Sequence, residues 1–372
     1  MSDYFLSYYA LISSAEQLDY CKQANSLSDL LMRIKLLWGC DHLGDEELLR
    51  EIALLNQTPI QISSVNVAGM WLPYRYQPKQ QLINWLIPIG HATEPFQDEY
   101  ISRCRQQIIN QIIQPCTGLD FALQQTKNFP SVTPAGFIFH LSRCGSTLIS
   151  GCLSELDSSC VFSESPLLTE LLLDSNLSAE QHKIYLRAFI NLQAAAFPDR
   201  PQMIIKWNAW DIFRWELIRE LYPQVPVIFL VRDPVEILAS HQRSAGRHMA
   251  GDTSLAHAHP VFTPANTEQS LLAWQSRVLG ALLGEMSRVK HQNAILRVDY
   301  KSLDVAGINE ICRHFGLHPH PERFTQRLKF HSKTPQVIFS SDVQTKQTIF
   351  SADDKTLIQQ ALFPLYQQFL KS

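Results

Sequence analysis

Residues Gly136 to Ser150 read GFIFHLSRCGSTLIS, and this stretch decides how the chain is understood. Gly136 to Leu141 is a short apolar run of strand length, and a helical pattern through Leu148 and Leu156 begins just beyond it. Small and polar residues make the turn between. A buried strand that runs straight into a helix N-terminus aims several backbone N–H groups at one spot, and the helix dipole adds partial positive charge there. The stretch therefore predicts an anion cradle. Gly145 lets the backbone come close to an oxyanion. Ser142, Ser146 and Thr147 supply hydroxyls, residues 144 to 147 (Cys144 onward) supply N–H groups, and Arg143 offers a planar fork. The nucleoside-triphosphatase loop G-x-x-x-x-G-K-[ST] needs a lysine before its Ser/Thr. Gly145 stands there instead, and no acid is evident to hold magnesium, so ATP suits the loop poorly.

Outward from this stretch, strands and helices alternate. Cys160 to Phe162, MIIK at 203 to 206, VPVIFLV at 225 to 231 and AILRV at 294 to 298 read as four more strands. Their continuous apolar runs suit a parallel sheet buried on both faces. Helical patterns fall at about 179–197, along Trp210, Phe213, Leu217 and Leu221, and at about 267–290. A capping box of Ser351 and Asp354 opens a last helix with Ile358, Leu362, Leu365 and Phe369 on one face. The alternation predicts an α/β fold, a P-loop-type doubly wound parallel sheet of about five strands, over residues 131–372.

The polar stretch QQTKNFPSVTP at 124 to 134 reads as a linker, leaving a smaller α+β N-terminal domain at 1–125. There, Ser26 and Asp29 form a capping box ahead of Leu27, Leu30, Leu31, Ile34 and Leu37. Short strands are expected within 60–90, and Ile101, Cys104, Ile108 and Ile112 keep helical spacing. No chemical constellation stands out, so this part reads as a packing or interaction domain.

Composition sets the outer bounds. A hydrophobic share of 45% and a charged share of 18% in 372 residues suit a chain with a substantial core. A net charge of −3 argues against a nucleic-acid binder and makes any anion site a local arrangement. The eight cysteines form no C-x-x-C pair, which fits reduced thiols in a cytoplasm. The start, MSDYFLSYYALISS, lacks a basic n-region and does not read as a signal peptide. No run of 18 apolar residues occurs, so no membrane span is expected.

A second motif, LVRDPVEILAS at 230 to 240, completes the picture. Arg232 leaves a strand at its carboxyl end, where ligands bind in open α/β sheets, and Pro234 suits the first turn of the helix that follows. Ser240 lies two turns along. With both motifs in order, residues 131–372 resemble the sulfotransferases that use 3′-phosphoadenosine 5′-phosphosulfate, whose phosphosulfate loop reads SR-x-G-[ST]-T-L. The resemblance implies that the Cys144–Thr147 loop holds the 5′-phosphate and that Arg232 and Ser240 hold the 3′-phosphate.

Further matches are similar to the tyrosylprotein-type branch. Glu164 in FSESPLL sits where that branch has its base. Lys206 and Arg143 are placed near the transferred group, and Ser341 and Lys346 in SSDVQTK (340 to 346) approach the phosphosulfate. Tyr300 in VDYKSL resembles the tyrosine of the family's Y-E-[DQ]-L segment, with Lys301 where the family has glutamate. The implied reaction is sulfuryl transfer to the hydroxyl of a small-molecule, sugar or peptide acceptor, without a metal, nucleic acid or membrane span. An ATP-dependent P-loop kinase and a non-catalytic nucleotide-binding module are the alternatives.

His241, His248, His257 and His259 lie in HQRSAGRHMAGDTSLAHAHP, and their spacing fits no zinc pattern. The stretch reads as a mobile loop over the acceptor site, with Arg243, Arg247 and His248 facing the acceptor.

Overall fold

The fold was analysed in a computed structural model, which describes residues 3–61, 65–263, 270–289, 295–330 and 349–371. The N-terminal part begins with four helices: α1 (Phe5–Ser13), α2 (Ala15–Lys22), α3 (Leu27–Trp38) and α4 (Asp45–Gln57). Ser26 caps α3 by accepting from the Asp29 N–H. The returning arm goes from the Asn25 N–H to Asp29, one residue earlier than a capping box requires. An antiparallel sheet follows, β1 (Leu72–Gln77), β2 (Leu82–Leu86) and β3 (Cys116–Gly118), in the order β1-β2-β3. Between β2 and β3, the helical spacing from Ile101 to Ile112 is split into α5 (Gln97–Cys104) and α6 (Ile108–Ile112). The buried Asn110 amide explains the break. It donates to the Cys104 carbonyl at the end of α5, a carbonyl that a continuous helix would use. Helix α7 (Leu119–Thr126) closes this part.

The C-terminal part alternates as its patterns predict. It runs β4 (Gly136–His140), α8 (Ser146–Ser154), β5 (Ser159–Ser163), α9 (Pro166–Leu173), α10 (Ala179–Ala195), β6 (Gln202–Lys206), α11 (Trp215–Leu221), β7 (Val227–Val231), α12 (Pro234–Arg243), α13 (Leu271–Arg288), β8 (Ile295–Asp299), α14 (Val305–His314), α15 (Pro321–Arg327) and α16 (Ala352–Lys371). The five strands pair in parallel in the order β5-β6-β4-β7-β8. One expectation is corrected. Residues Ala209–Arg214 form a 3-10 turn ahead of α11 and not part of one long helix, because Asn208 and Asp211 cap each other in a tight box.

Phe137, Phe139, Trp207, Trp215 and Phe229 meet in the middle of this sheet, all at most 2% exposed and mostly edge to face. Burial of such a ring contributes roughly 1.5–3 kcal/mol. The apolar core is continuous from Tyr8 to Phe369. Polar contacts tie the antiparallel sheet to the parallel part: Arg75 Nη1 to Glu170 Oε1 at 2.8 Å, the Tyr76 N–H to Glu170 Oε2 at 2.9 Å, Tyr76 Oη to Asp174 Oδ2 at 2.6 Å, and Gln193 Nε2 to the Pro73 carbonyl at 3.2 Å. Among the described residues no helix is long and apolar enough to cross a membrane.

The chain leaves β4 toward the β5 edge and leaves β7 toward the β8 edge. Neighbouring strands that hand the chain in opposite directions open a crevice at their carboxyl ends. Both sequence motifs emerge there.

Candidate active site

A cleft of about 900 Å³ occupies that crevice. One half is the turn after β4. Ser142, Arg143 and Gly145 all have left-handed backbone, at φ 63°, 52° and 95°. For the two non-glycine residues this conformation costs about 1–2 kcal/mol each, a strain that marks functional turns more often than ordinary ones. The turn delivers the N-terminus of α8 to the cleft, with Ser146 and Thr147 in the lining. Gly145 is obligatory here. A Cβ on it would stand 2.7 Å from Leu303 and Tyr300 side-chain atoms. Cys144, expected in the site, does not line the cleft: its thiol points into the core, donates to the Leu230 carbonyl, and is pushed up to about 12 by burial.

Arg232 enters from the end of β7 and is 6% exposed. Its Nε donates to Glu236 Oε2 at 2.7 Å, Nη2 donates to the same oxygen, and Nη1 reaches the Arg143 carbonyl at 3.4 Å. The Tyr300 ring lies 3.9 Å from its Cζ. The guanidinium is thus held on one edge and one face, and Arg232, Ser240 and Tyr300 all line the cleft. Arg143 lines it too, with Nη2 donating to the Ser244 carbonyl. Burial lowers the Arg143 pKa.

Glu164 follows the last residue of β5. Its N–H extends the ladder by donating to the Lys206 carbonyl at 2.7 Å, and it too is left-handed, at φ 56°. The Lys206 Nζ lies 3.1 Å from Glu164 Oε1, and the His140 Nε2 lies 3.4 Å from the same oxygen. Burial raises the Glu164 pKa, but the Lys206 charge and the His140 ring together outweigh it and hold the carboxyl well below its usual range. His140 Nδ1 accepts from the Ser142 N–H, so a neutral ring carries its proton on the nitrogen that faces Glu164. Burial, only partly opposed by Glu164, lowers the His140 pKa.

Lys206 is fully buried behind Glu164 and does not line the cleft. Its Nζ reaches the Pro95 carbonyl at 3.5 Å and the Phe96 ring at 4.8 Å. Of the expected site residues, Ser142, Arg143, Gly145, Ser146, Thr147, Glu164, Arg232, Ser240 and Tyr300 therefore share one cleft. Ser341 and Lys346 lie outside the described residues.

The stretch from His241 to Pro260, expected as a mobile loop, contains short ordered turns. His241 ends on α12, and 3-10 turns at Arg247–Met249, Thr253–His257 and Pro260–Phe262 carry the rest. Their carbonyls are satisfied locally, as the Met249 N–H to Gly246 bond illustrates. Gly246, Arg247 and His248 reach the cleft, and His248 is 3% exposed, its pKa pushed down to about 3 by burial and then by His140 and Arg143. Among the described residues no group of three or more His, Cys, Asp and Glu side chains is placed to hold a metal.

Three contributions escape a reading of motifs. His140 is the one polar side chain in the GFIFHL strand, and that anomaly was its signal. Glu236 stands four residues after Arg232, a helix-neighbour spacing that was legible in the motif itself. Arg75, Phe96, Asp98 and Glu99 of the N-terminal part line the cleft, and no local pattern points to them.

No protein-family profile matches the chain, and no curated protein matches it. Among solved structures it is similar to the sulfotransferase domain from the curacin biosynthetic pathway, at 15% identity and a TM-score of 0.38, over 62% of this chain and 98% of that one. It is also similar to a sulfotransferase from Alicyclobacillus acidocaldarius, at 12% identity and a TM-score of 0.34, over 62% of this chain and 95% of that one. Likeness at this level assigns no activity.

Proposed function

We propose that this protein is a sulfotransferase that moves a sulfuryl group from 3′-phosphoadenosine 5′-phosphosulfate to an acceptor hydroxyl, with Glu164 as the general base. One observation carries the reading: a carboxylate kept ionised by Lys206 and His140 shares a single cleft with the turn after β4, Arg143 and the buried Arg232. The donor has two anionic ends, and the cleft offers two separate cationic seats for them. The Cys144–Thr147 turn with Arg143 suits the 5′-phosphosulfate, and Arg232 with Ser240 suits the 3′-phosphate. The turn that presents the N-terminus of α8 to the cleft, with Ser146 and Thr147 in its lining, suits such a group. Ser341 and Lys346 belong to the same proposal through the resemblance of their segment to the tyrosylprotein-type branch.

When bound, the donor supplies the sulfuryl group, its S–O bond to the 5′-phosphate breaking as the acceptor oxygen bonds to sulfur and adenosine 3′,5′-bisphosphate departs. Glu164 takes the acceptor proton on its second oxygen, Oε2, since Oε1 is the oxygen that faces Lys206 and His140. A carboxylate held this low is a weak base, suited to a proton that leaves late, once the attacking oxygen has become acidic. Arg143 neutralises charge that grows on the transferring group. Lys206 acts through Glu164 as a positioning residue. The fixed cations of this site do the charge neutralisation that a kinase assigns in large part to magnesium.

Thermal unfolding with and without adenosine 3′,5′-bisphosphate tests the donor site. At a hundredfold excess over its dissociation constant the ligand should add about 2.7 kcal/mol, a rise of about 3 °C for a chain of this size. The rise should vanish in Arg232→Ala. A rise with ATP–magnesium but none with the bisphosphate would favour a kinase, and no rise with either would favour a non-catalytic module.

A further inference from the structure

The other half of the cleft lining, apart from the phosphate seats and Glu164, is built from both parts of the chain. Arg75, Phe96 and Asp98 come from the N-terminal part, and Glu170, Trp210 and His248 from the other. Arg75 bridges the two carboxylates, Nη1 to Glu170 Oε1 at 2.8 Å and Nη2 to Asp98 Oδ1 at 3.2 Å. Trp210 and His248 are 5% and 3% exposed, their rings are 5.8 Å apart, and Trp210 Nε1 and His248 Nε2 both lack a hydrogen-bond partner among the described residues. Buried polar atoms are rarely left unpaired, and each one costs about 1–3 kcal/mol unless something pairs with it. Two such atoms sit on adjacent rings of residues that line one cleft.

We propose that this half of the cleft is the acceptor site and that it takes a polyhydroxylated, carbohydrate-type acceptor, with Trp210 and His248 as the specificity-determining residues. The inference rests on the sulfotransferase reading and deepens it. Indole N–H is a donor only, and neutral imidazole either donates or accepts, so the pair asks for neighbouring oxygens such as those around a sugar ring. Lys206 covers one face of Phe96 and Arg247 one face of Trp210, which leaves the remaining aromatic surface for the C–H face of such a ring. The Asp98–Arg75–Glu170 row adds acceptors and donors in one network at the mouth. A simple phenol or a long-chain alcohol would fill the aromatic faces but leave both ring nitrogens unpaired, an arrangement that polar sites reject strongly. The N-terminal part thereby gains a function, since it supplies one wall of the acceptor site and seals Lys206 with Pro95 and Phe96.

The test is release of adenosine 3′,5′-bisphosphate from saturating phosphosulfate donor, with glucose, N-acetylglucosamine and trehalose as acceptors and p-nitrophenol and 1-octanol as controls. At least one saccharide should be preferred to both controls. Trp210→Phe keeps an aromatic ring and loses the N–H, and His248→Leu loses both ring nitrogens. Each should raise the saccharide KM about ten- to hundredfold with bisphosphate affinity unchanged, and His248→Gln should recover part of the loss. His248→Leu should also melt close to wild type without ligand, because it removes the unpaired Nε2 and keeps an apolar side chain in a buried place. Preference for p-nitrophenol or octanol, no saccharide turnover by a protein that binds the bisphosphate, or a large drop in the melting temperature of both variants would overturn the proposal. Failure to bind the bisphosphate at all would instead remove the donor reading, and this inference with it.

Discussion

Lys206 carries an ammonium into a fully buried place, 3.1 Å from Glu164 Oε1 and 3.5 Å from the Pro95 carbonyl. The pair sets a pH dependence whose sign is fixed. The folded pKa of Glu164 lies below its ordinary value, so its stabilisation is complete above the unfolded pKa of about 4 and is lost as pH falls through the folded value. Lys206→Met removes the largest cause of the depression and leaves the His140 ring. Urea unfolding should therefore show the gap between wild type and this variant widest at neutral pH and narrowing below about pH 4. Asp211 behaves in the opposite sense. Burial, only partly opposed by hydrogen bonds from Asn208, pushes its carboxyl up to about 7, and its Oδ1 has no partner among the described residues. The folded state then keeps a proton that the unfolded chain has already lost above pH 4, so this residue makes stability fall as pH rises from about 4 to 7. Asp211→Asn should flatten that slope and raise the melting temperature at pH 8 relative to wild type, while matching it near pH 4. At this scale the sequence disclosed residues that stand at strand ends in motifs, such as Arg143, Glu164 and Arg232. It did not disclose Asp211, whose elevated pKa comes from burial under neighbours remote in sequence.

The elements that form the site are strands that hand straight over to turns. All five parallel strands were legible because each is a short, continuous apolar run with turn residues at its ends, and their observed limits shift by no more than two residues from the expected ones. Boundaries set by polar capping were less legible: the break between α5 and α6 depends on the Asn110 side chain, and the 3-10 turn before α11 on the Asn208–Asp211 box. The turn after β4 is the element on which donor binding depends. Gly145→Ala introduces a Cβ at φ 95°, 2.7 Å from Leu303 and Tyr300, and should open the contact that closes the Arg232–Tyr300 side of the cleft. The strain alone costs about 1–2 kcal/mol. The variant should unfold at lower temperature and lose the bisphosphate-induced rise, both measured in one thermal scan.

At the scale of the molecule, the two parts of the chain share a continuous core and build one cleft. Composition and the linker-like stretch near residue 130 pointed to a separate N-terminal domain of packing or interaction character. The wall formed by Arg75, Phe96, Asp98 and Glu99 was not legible, because residues from β1 and α5 reach Glu170 and Lys206 only through tertiary packing. What joins the scales is the carboxylate at the end of β5: strained in backbone, paired with a buried lysine, and set across one cleft from two arginine seats. The most direct test is bisphosphate release from 3′-phosphoadenosine 5′-phosphosulfate with acceptor, in wild type and Glu164→Gln. Glu164→Gln should lose about two to three orders of magnitude in turnover and keep its melting-temperature rise with the bisphosphate. Full turnover in Glu164→Gln, or a wild type that binds the bisphosphate yet transfers no sulfuryl group to any hydroxyl acceptor, would contradict the account.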